Sequence, residues 1–429
     1  MFALVDGNAF YASCETLFRP DIAHLPVVVL SNNDGCVVAA NARAKKLGDI
    51  MLQPYFKVRG ILEKHQTAVF SSNYELYADL SQRMHSLLGS FAPQQEIYSI
   101  DESFLDFTGM THWDLSAVGQ QMKQAVQQQL GLPVAVGIGA TKTLAKAANH
   151  LAKKQEALQG VLHLSAPSLA LQEIDQLLSA MSVANVWGVG RQWSGKLKQM
   201  GIQTACDLKY ASRKNIRTKF GVVLERTVAE LNGQVCQNLE LIPTAKQQII
   251  SSRSFGEPVI TYQAMRDAVA AYTSRAVEKL RQQNAVCKRI QVSIMTNAFR
   301  RQEAQYCNWA SVSLIYPSAH TGHLIERATS CLNRIWRDGF AYKKALVMLT
   351  EISEVEVQQF DLFADHPRYS RNVQADSLMQ VMDQINHKYG RGTLHSAATG
   401  QDRQADWQMK RSLHSPRYTT HWDELLLVR

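Results

Sequence analysis

Asp101 and Glu102 stand side by side in the stretch Tyr98-Ser99-Ile100-Asp101-Glu102-Ser103-Phe104-Leu105-Asp106. Short β-prone runs flank them, Glu96-Ile97-Tyr98 before and Ser103-Phe104-Leu105 after. Neighbouring side chains on a strand point to opposite faces, so two adjacent acids share one site only where a strand ends or turns. A hairpin tip would meet that condition. A third acid, Asp6, closes the apolar run Met1-Phe2-Ala3-Leu4-Val5. If the two segments pair as adjacent strands, three carboxylates meet at one sheet edge. Such a set can hold two divalent cations for an in-line phosphoryl displacement. The plain alternative is a solvated acidic turn, and the Ser-Ile-Asp-Glu string alone does not separate the two.

The elements that must bring these acids together lie in residues 1–166, where strand-like and helix-like stretches alternate. Strands are predicted from Phe2 to Asp6, Pro26 to Ser31, Ile97 to Asp101, Phe104 to Phe107, Pro133 to Gly137 and Gly160 to Leu164. Helices are predicted from Ala9 to Leu17, Ala40 to Leu47, Tyr74 to Leu88, Leu115 to Leu130 and Lys142 to Lys153. This mixture implies an α+β domain with helices over one face of a sheet. Residues 31–67 interrupt it with the turn cluster Ser31-Asn32-Asn33-Asp34-Gly35 and a small basic helix, as a subdomain set over the sheet would. Gly137-Ile138-Gly139-Ala140-Thr141-Lys142-Thr143 ends in Lys-Thr like a phosphate-binding loop, but Thr141 stands where that pattern needs glycine.

A helical region follows from Pro167. At its centre, Val186-Trp187-Gly188-Val189-Gly190 forms a hydrophobic–Gly–hydrophobic–Gly hairpin between helices. In a helix-hairpin-helix the glycines let the backbone approach a phosphate, and N–H groups of the next helix receive it. A tight interhelical turn is the plain reading. Nearby Arg191, Lys196 and Lys198 favour a sequence-independent DNA contact.

Residues 245–352 carry the cleanest pattern. Gln248 to Gly256 reads as a strand, and Met265, Val269, Tyr272, Ala276 and Leu280 recur at helical spacing. Ile290, Val292 and Ile294 alternate with polar residues, as do Ala310, Val312 and Leu314. Leu324, Ala328, Leu332 and Ile335 mark another helix, and Ala345 to Leu349 a closing strand. The order β-α-β-β-α-β is the ferredoxin-like split unit. Arg253, Lys288, Arg300 and Arg301 are expected on its exposed strand faces, as a groove-lying sheet would need. Beyond Glu351 periodicity fades. Gln359-Phe360-Asp361-Leu362-Phe363 stands in a turn-rich stretch, a short aromatic–aliphatic run of the docking-peptide kind, and Asp376 to His387 reads as a helix.

The 429 residues exceed what one core can organise and imply several domains. A net charge of +9 favours a polyanionic partner. The seven cysteines are scattered and odd in number, with no C-x-x-C spacing, which argues against disulfides and zinc and for a reducing compartment. No apolar run reaches membrane-spanning length, so a cytoplasmic protein without a membrane partner is expected.

In order, Met1 to Tyr11, Gly35 to Gly48, Tyr98 to Asp106, Val136 to Lys153 and Val186 to Gly201 resemble the Y-family translesion DNA polymerases. The resemblance is strongest to the UmuC branch, the catalytic subunits of bacterial DNA polymerase V and their plasmid-borne relatives. It spans essentially the whole chain, including Asn8 to Glu15, Leu30 to Val37, Phe70 to Ala78, Gln408 to Arg411 and Ser415 to Thr420.

This resemblance implies an α+β right hand: palm over 1–166 with a small fingers insertion over about 16–67, helix-hairpin-helix thumb over 167–240, and ferredoxin-like (βαββαβ) little finger over 245–352. A partner-binding tail would fill 353–429. It implies error-prone, template-directed synthesis across lesions on primed, damaged DNA, from dNTPs, in the SOS response, by a nucleoid-associated enzyme. Asp6 and Asp101 match the family's metal-bridging acids, Glu102 the ligand of the catalytic ion, and Gly7 a main-chain ligand, for two Mg²⁺ ions. The backbone of Phe10 and Tyr11 would meet triphosphate, as would Lys153 and Lys45, the latter where many relatives carry arginine. Tyr11 falls at the steric gate that rejects ribonucleotides. Ser31, Gly35 and Cys36 would cover the nascent base pair. Gly188, Gly190, Arg191, Lys196 and Arg253 would contact DNA. Gln359, Leu362 and Phe363 would anchor a sliding-clamp peptide, and the tail would meet a processed UmuD-like homodimer and RecA. Ala39 and Asn8 depart from the general family pattern and put phosphate contacts there in question. A non-catalytic scaffold and a two-metal nuclease are the alternatives, and neither gives the three acids, the tyrosine and the thumb a joint role.

Overall fold

The structure is a computed structural model, and it describes residues 1–110, 112–242, 244–355, 373–390, 392–400 and 407–425, with backbone only at 373–376. The chain divides into two compact units, Met1–Pro243 with Ser412–Arg429, and Thr244–Arg411.

The first unit opens with β1 (Phe2–Gly7) and α1 (Phe10–Leu17). Next come β2 (Val27–Leu30), β3 (Val37–Ala40), α2 (Ala42–Lys45), α3 (Tyr55–Lys64) and β4 (Ala68–Ser71). The strands form a small sheet in the order β3-β2-β4, with Val28, Leu30, Val37, Ile50, Val58 and Leu62 in a core of its own. Its last strand lies beyond residue 67, the expected end of the insertion. The helix expected from Ala40 starts later, because Val37–Ala40 pairs with β2 and Asn41 caps α2 by accepting the Ala44 N–H.

After α4 (Tyr74–Leu88) come β5 (Gln94–Ile97), β6 (Glu102–Asp106), α5 (Leu115–Leu130), β7 (Val134–Gly139), α6 (Lys142–Lys154) and β8 (Val161–His163). The main sheet has the order β5-β6-β1-β7-β8, and β1 runs antiparallel to both neighbours. The strand expected over Ile97 to Asp101 is corrected: β5 stops at Ile97, and Tyr98–Asp101 is the hairpin tip. There Ser99 Oγ donates to Asp101 Oδ1 at 2.7 Å and accepts the Glu102 N–H at 3.1 Å, which turns the backbone off the strand path.

Helices cover both faces of this sheet rather than the one expected. Ala3, Val5, Leu105, Val136 and Ile138 pack with residues of α4 and α5, such as Met84 and Met122. Phe2, Leu4 and Phe104 pack against Ala145 of α6 on the other face. Gly137 makes that approach possible, since a Cβ there would lie 2.1 Å from the Asn149 nitrogen and 2.3 Å from the Ala145 oxygen. The glycines of the loop-like string therefore serve strand–helix contact.

Five helices complete this stretch: α7 (Leu171–Ser179), α8 (Arg191–Gln199), α9 (Ala205–Lys209), α10 (Arg213–Phe220) and α11 (Val222–Leu231). Their core joins Leu178, Val189, Leu197, Leu208 and Leu224 to Leu144, Ala148 and Leu151 of α6.

The second unit holds β9 (Ile249–Val259), α12 (Tyr262–Gln282), β10 (Ala285–Thr296), β11 (Cys307–Ser318), α13 (Thr321–Ile335), β12 (Tyr342–Glu354) and α14 (Val373–Tyr389). Its elements follow the expected order β-α-β-β-α-β, and its antiparallel sheet runs β11-β10-β12-β9, with β10 and β12 as the central strands. Ile290, Val292, Ile294, Ala345 and Val347 bury against α12 and α13. Arg253 pairs with Ala345 and so lies on this helix-covered side of edge strand β9, not on the open face. Arg300 and Arg301 fall in the β10–β11 turn, and Lys288 is exposed at an irregularity of β10. The open face carries Arg289, Lys344 and Trp309 instead. Among the described residues, no helix is long and apolar enough to cross a membrane, and all seven cysteines are free.

Candidate active site

The antiparallel register of β1 and β6 sets Asp6 opposite Glu102. Both continue the Phe2–Leu4 and Phe104 sides of their strands, the sides that look toward α6. Asp101 approaches from the hairpin tip, where its carbonyl accepts the Gly7 N–H at 2.9 Å. The structure thus brings Asp6, Gly7, Asp101 and Glu102 to one sheet edge.

Helix α6 supplies the opposing charge. Lys142, Lys146, Asn149 and Lys153 are spaced by four, three and four residues, which is one helix face. Lys153 Nζ lies 2.5 Å from Asp6 Oδ1. Lys146 Nζ donates to both oxygens of Glu102 at 3.0 Å, and it stands 4.3 Å from the Tyr98 ring centre and 5.4 Å from that of Trp187. Burial pushes the Asp6 carboxyl up to about 6; Lys153 opposes the shift, while Glu102 and Asp101 add to it.

Oxygen-rich donors of this kind suit hard divalent cations. Two of the three carboxylates already hold a cationic group, and the adjacent Asn8 Oδ1 is buried with no hydrogen-bond partner among the described residues. By donor chemistry the edge fits a metal. With the lysines paired this way, no three acid, histidine or cysteine side chains among the described residues are grouped to hold an ion.

Beside the acids, Ala9 adopts φ 47°, ψ 46°, and α1 starts immediately after it with no side chain capping its N–H groups. The left-handed backbone at an alanine carries about 1–2 kcal/mol of strain. An alanine N-cap has no side chain to occupy the first helical N–H groups, near Phe10 and Tyr11, and a helix start of this kind favours anions. The Tyr11 ring stacks on Tyr77 at 4.5 Å and 16° and meets Tyr74 edge-on at 6.0 Å. Burial raises its phenol pKa, with further contributions from Tyr74 and Asp101. Tyr77 is fully buried and donates to Glu15 Oε1 at 2.5 Å. Burial drives Glu15 up to about 7 against hydrogen bonding from Tyr77 and the Ser415 hydroxyl. Glu15 Oε2 nevertheless meets no partner of good geometry among the described residues.

Ser31, Gly35 and Cys36 form a tight turn in the small sheet, where the Cys36 N–H donates to Ser31 Oγ at 3.0 Å. Lys45 is exposed at the end of α2. In the helical region, Gly188 has φ +86° and Gly190 is the N-cap of α8, with Arg191 and Lys196 exposed on that helix. Gln359, Leu362 and Phe363 lie outside the described residues.

Lys146 went unnamed in the sequence, and Lys142, Tyr98 and Trp187 stood there only as members of their strings, without a role at the acids. Trp187 meets Tyr98 edge-on at 5.8 Å and donates its indole N–H to the phenol at 3.3 Å, so the hairpin between helices abuts the acid hairpin. A signal for the lysines was available: Lys146 and Lys142 precede Lys153 by seven and eleven residues, multiples of the helical repeat.

The profile of the impB/mucB/samB family matches residues 5–150, and that of its C-terminal domain matches 246–362. A domain of unknown function, DUF4113, matches 376–428. The chain is 48% identical over 432 residues to Protein UmuC of Salmonella typhimurium, covering 100% of each. It is 46% identical to Protein SamB of the same organism, covering 99% of both. Among solved structures, the Y-family DNA polymerase chimera Dbh-Dpo4(243-245)-Dbh matches with a TM-score of 0.62, 20% identity, 82% of this chain and 100% of the other. That likeness is one of fold.

Proposed function

This chain belongs to the impB/mucB/samB family, and on that premise we propose that it is a Y-family translesion DNA polymerase acting by nucleotidyl transfer. One observation carries the mechanism. The β1–β6 register and the Tyr98–Asp101 hairpin bring Asp6, Asp101 and Glu102 to one sheet edge, and the start of α1 with Tyr11 follows directly on β1.

Two Mg²⁺ ions held by Asp6, Asp101, Glu102 and the Gly7 carbonyl would supply the charge that activates a primer 3′-hydroxyl and neutralises a leaving pyrophosphate. The protein's own groups do the rest. The first N–H groups of α1 receive the terminal phosphates of the dNTP. Lys153 leaves Asp6 and takes up a triphosphate oxygen as a point charge. Tyr11, backed by Tyr77, lies under the sugar and rejects a 2′-hydroxyl by collision. The low bulk of Ser31, Gly35 and Cys36 leaves room for a damaged template base and gives up discrimination against mispairs. Gly188 and Gly190 let backbone approach a DNA phosphate, with Arg191 and Lys196 beside it. In the second unit, the open sheet face with Arg289 and Lys344 offers further sequence-independent charge.

A processed UmuD-like homodimer, RecA and a sliding clamp engaging Gln359, Leu362 and Phe363 belong to the same proposal, supported by the 48% identity to Protein UmuC. The deciding experiment is primer extension past an abasic site with Mg²⁺, the accessory dimer and RecA filament. The unaltered chain extends the primer and Asp101→Asn does not; equal activity in both would overturn the reading.

A further inference from the structure

The last described residues, 412–425, return to the first unit, and three elements around the proposed nucleotide site hold them. The Ser71 N–H donates to the Leu413 carbonyl at 2.9 Å, and the Leu413 N–H donates to Ser71 Oγ at 3.0 Å. The Ser412 N–H donates to Asp34 Oδ2 at 2.9 Å, while Ser71 Oγ donates to Asp34 Oδ1 at 2.5 Å. This ties the segment to β4 and to the turn before β3. Tyr418 is buried and stacks on Phe18, the C-cap of α1, at 4.7 Å and 19°. Arg417 closes the far end on Glu424, with its N–H 2.6 Å from Oε2 and its Nε 2.9 Å from Oε1.

The third attachment bears on chemistry. Asn73 is fully buried and its side chain has two roles. Oδ1 caps α4 by accepting the Leu76 N–H at 3.2 Å. Nδ2 donates to Ser415 Oγ at 2.9 Å, to the Ser415 carbonyl at 3.3 Å and to the Pro416 carbonyl at 3.2 Å. The helix that Asn73 caps begins with Tyr74 and carries Tyr77 one turn on, and these two rings surround Tyr11. Ser415 also faces Glu15, the α1 carboxylate that fixes the Tyr77 hydroxyl.

We infer that Ser412–Tyr418 is a positioning strap for sugar selection: through Asn73 and Phe18 it fixes the start of α4 against the end of α1, and so holds Tyr77 and Tyr74 behind Tyr11. This rests on the reading of Tyr11 as the sugar-selecting ring. Rejection of a 2′-hydroxyl depends on a wall that does not yield, so the backing of the ring matters as much as the ring. Ser415 and Asn73 are positioning residues, remote from the reacting atoms.

The test compares the unaltered chain with Tyr11→Ala, Asn73→Ser and a chain ending at Arg411, each read as the ratio of kcat/KM for rNTP to that for dNTP. Serine caps a helix about as well as asparagine, so Asn73→Ser keeps the α4 cap and the tail, while its shorter hydroxyl lacks the amide NH2 that reaches Ser415 and Pro416. A full misplacement of about 1 Å changes rates on the order of 100-fold, and a ring merely loosened predicts a ratio raised about tenfold in Asn73→Ser and in the truncated chain. Amide exchange across Leu76–Leu80 should quicken in both. If Tyr11→Ala raises the ratio while Asn73→Ser alters neither ratio nor exchange, the strap is overturned and the Tyr11 reading stands. If Tyr11→Ala leaves the ratio unchanged, the Tyr11 reading fails and takes the strap's role in selection with it. Asn73→Ser remains decisive should the truncated chain not fold.

Discussion

One face of α6 presents three lysines to three carboxylates, and the pairs differ in how far water reaches them. Lys142 and Glu96 have side chains 4% and 8% exposed. Glu96 also accepts the Glu240 N–H at 2.8 Å, and the ammonium lies 5.0 Å from the Phe104 ring centre. Lys146 and Glu102 are 14% and 20% exposed, and Lys153 and Asp6 are 29% and 17% exposed. Residue types and helical spacing are the same throughout. At the deep end every charge is sealed with a fixed set of partners, so the pair can only be structural. Toward the mouth, under the proposed mechanism, each lysine sits on an acid that an incoming cation would claim, and the released ammonium would become available to phosphate. On that proposal ion pairing does not mark the site; the capacity to exchange partners does.

The largest expected effect separates the two ends by function. Asp101→Asn should lower nucleotide insertion by about 1,000-fold or more, the scale of losing several kcal/mol of charge stabilisation, with the melting temperature nearly unchanged. A loss below tenfold in single-turnover kinetics would remove Asp101 from the proposed chemistry.

The reverse holds at the deep end. Lys142→Met strands Glu96 as a buried charge and should destabilise the fold by about 3–5 kcal/mol, measured by urea denaturation. Adding Glu96→Gln should recover much of it. Lys146→Met should cost less, about 1.5–3 kcal/mol, while changing Mg²⁺ dependence; equal destabilisation by the two lysine variants would erase the distinction.

Glu15 sharpens the same contrast as a second sealed carboxylate. Its folded pKa, about 7, exceeds the ordinary 4.5. Its contribution to stability is therefore full below about pH 4.5 and is lost as pH rises through 7, because the buried form prefers the proton. Glu15→Gln should flatten the fall in stability between pH 5 and 8 by about 1–3 kcal/mol, read from denaturation at both values. An identical pH profile would mean the carboxyl is solvated. The smallest effect is at Ala9: Ala9→Gly should relieve up to about 1 kcal/mol of left-handed strain, seen as a slightly higher melting temperature.

Much of this was legible in the chain. Asp6 at the end of an apolar run, and two acids where a strand had to turn, were readable because strand alternation leaves few ways to gather them. The β-α-β-β-α-β order over 245–352 was readable because its apolar periods are long. Arg253 went wrong because facing depends on register, and one residue of slip moves a side chain to the other side of a sheet. The second covered face of the main sheet was hidden because close strand–helix approach is encoded by Gly137, read only as a strand end and as the first glycine of a loop-like string. Lys146 was missed because its role depends on the fold setting α6 above β6. The strap escaped because hydrogen bonds over such separations leave no local pattern.

That strap also bears on how the protein is made. Asn73 and Ser415 are 342 positions apart in sequence, and all of Thr244–Arg411 is inserted between the two parts of the first unit. Chains emerge from the ribosome amino end first, and domains fold as they emerge. The second unit is continuous and can finish while synthesis proceeds. The first must wait for its last residues, so a nascent or prematurely terminated chain lacks the closed wall behind Tyr11. Proteolytic trimming of Ser412–Tyr418 would strip the same wall from a finished molecule while leaving every strand of the three sheets in the chain.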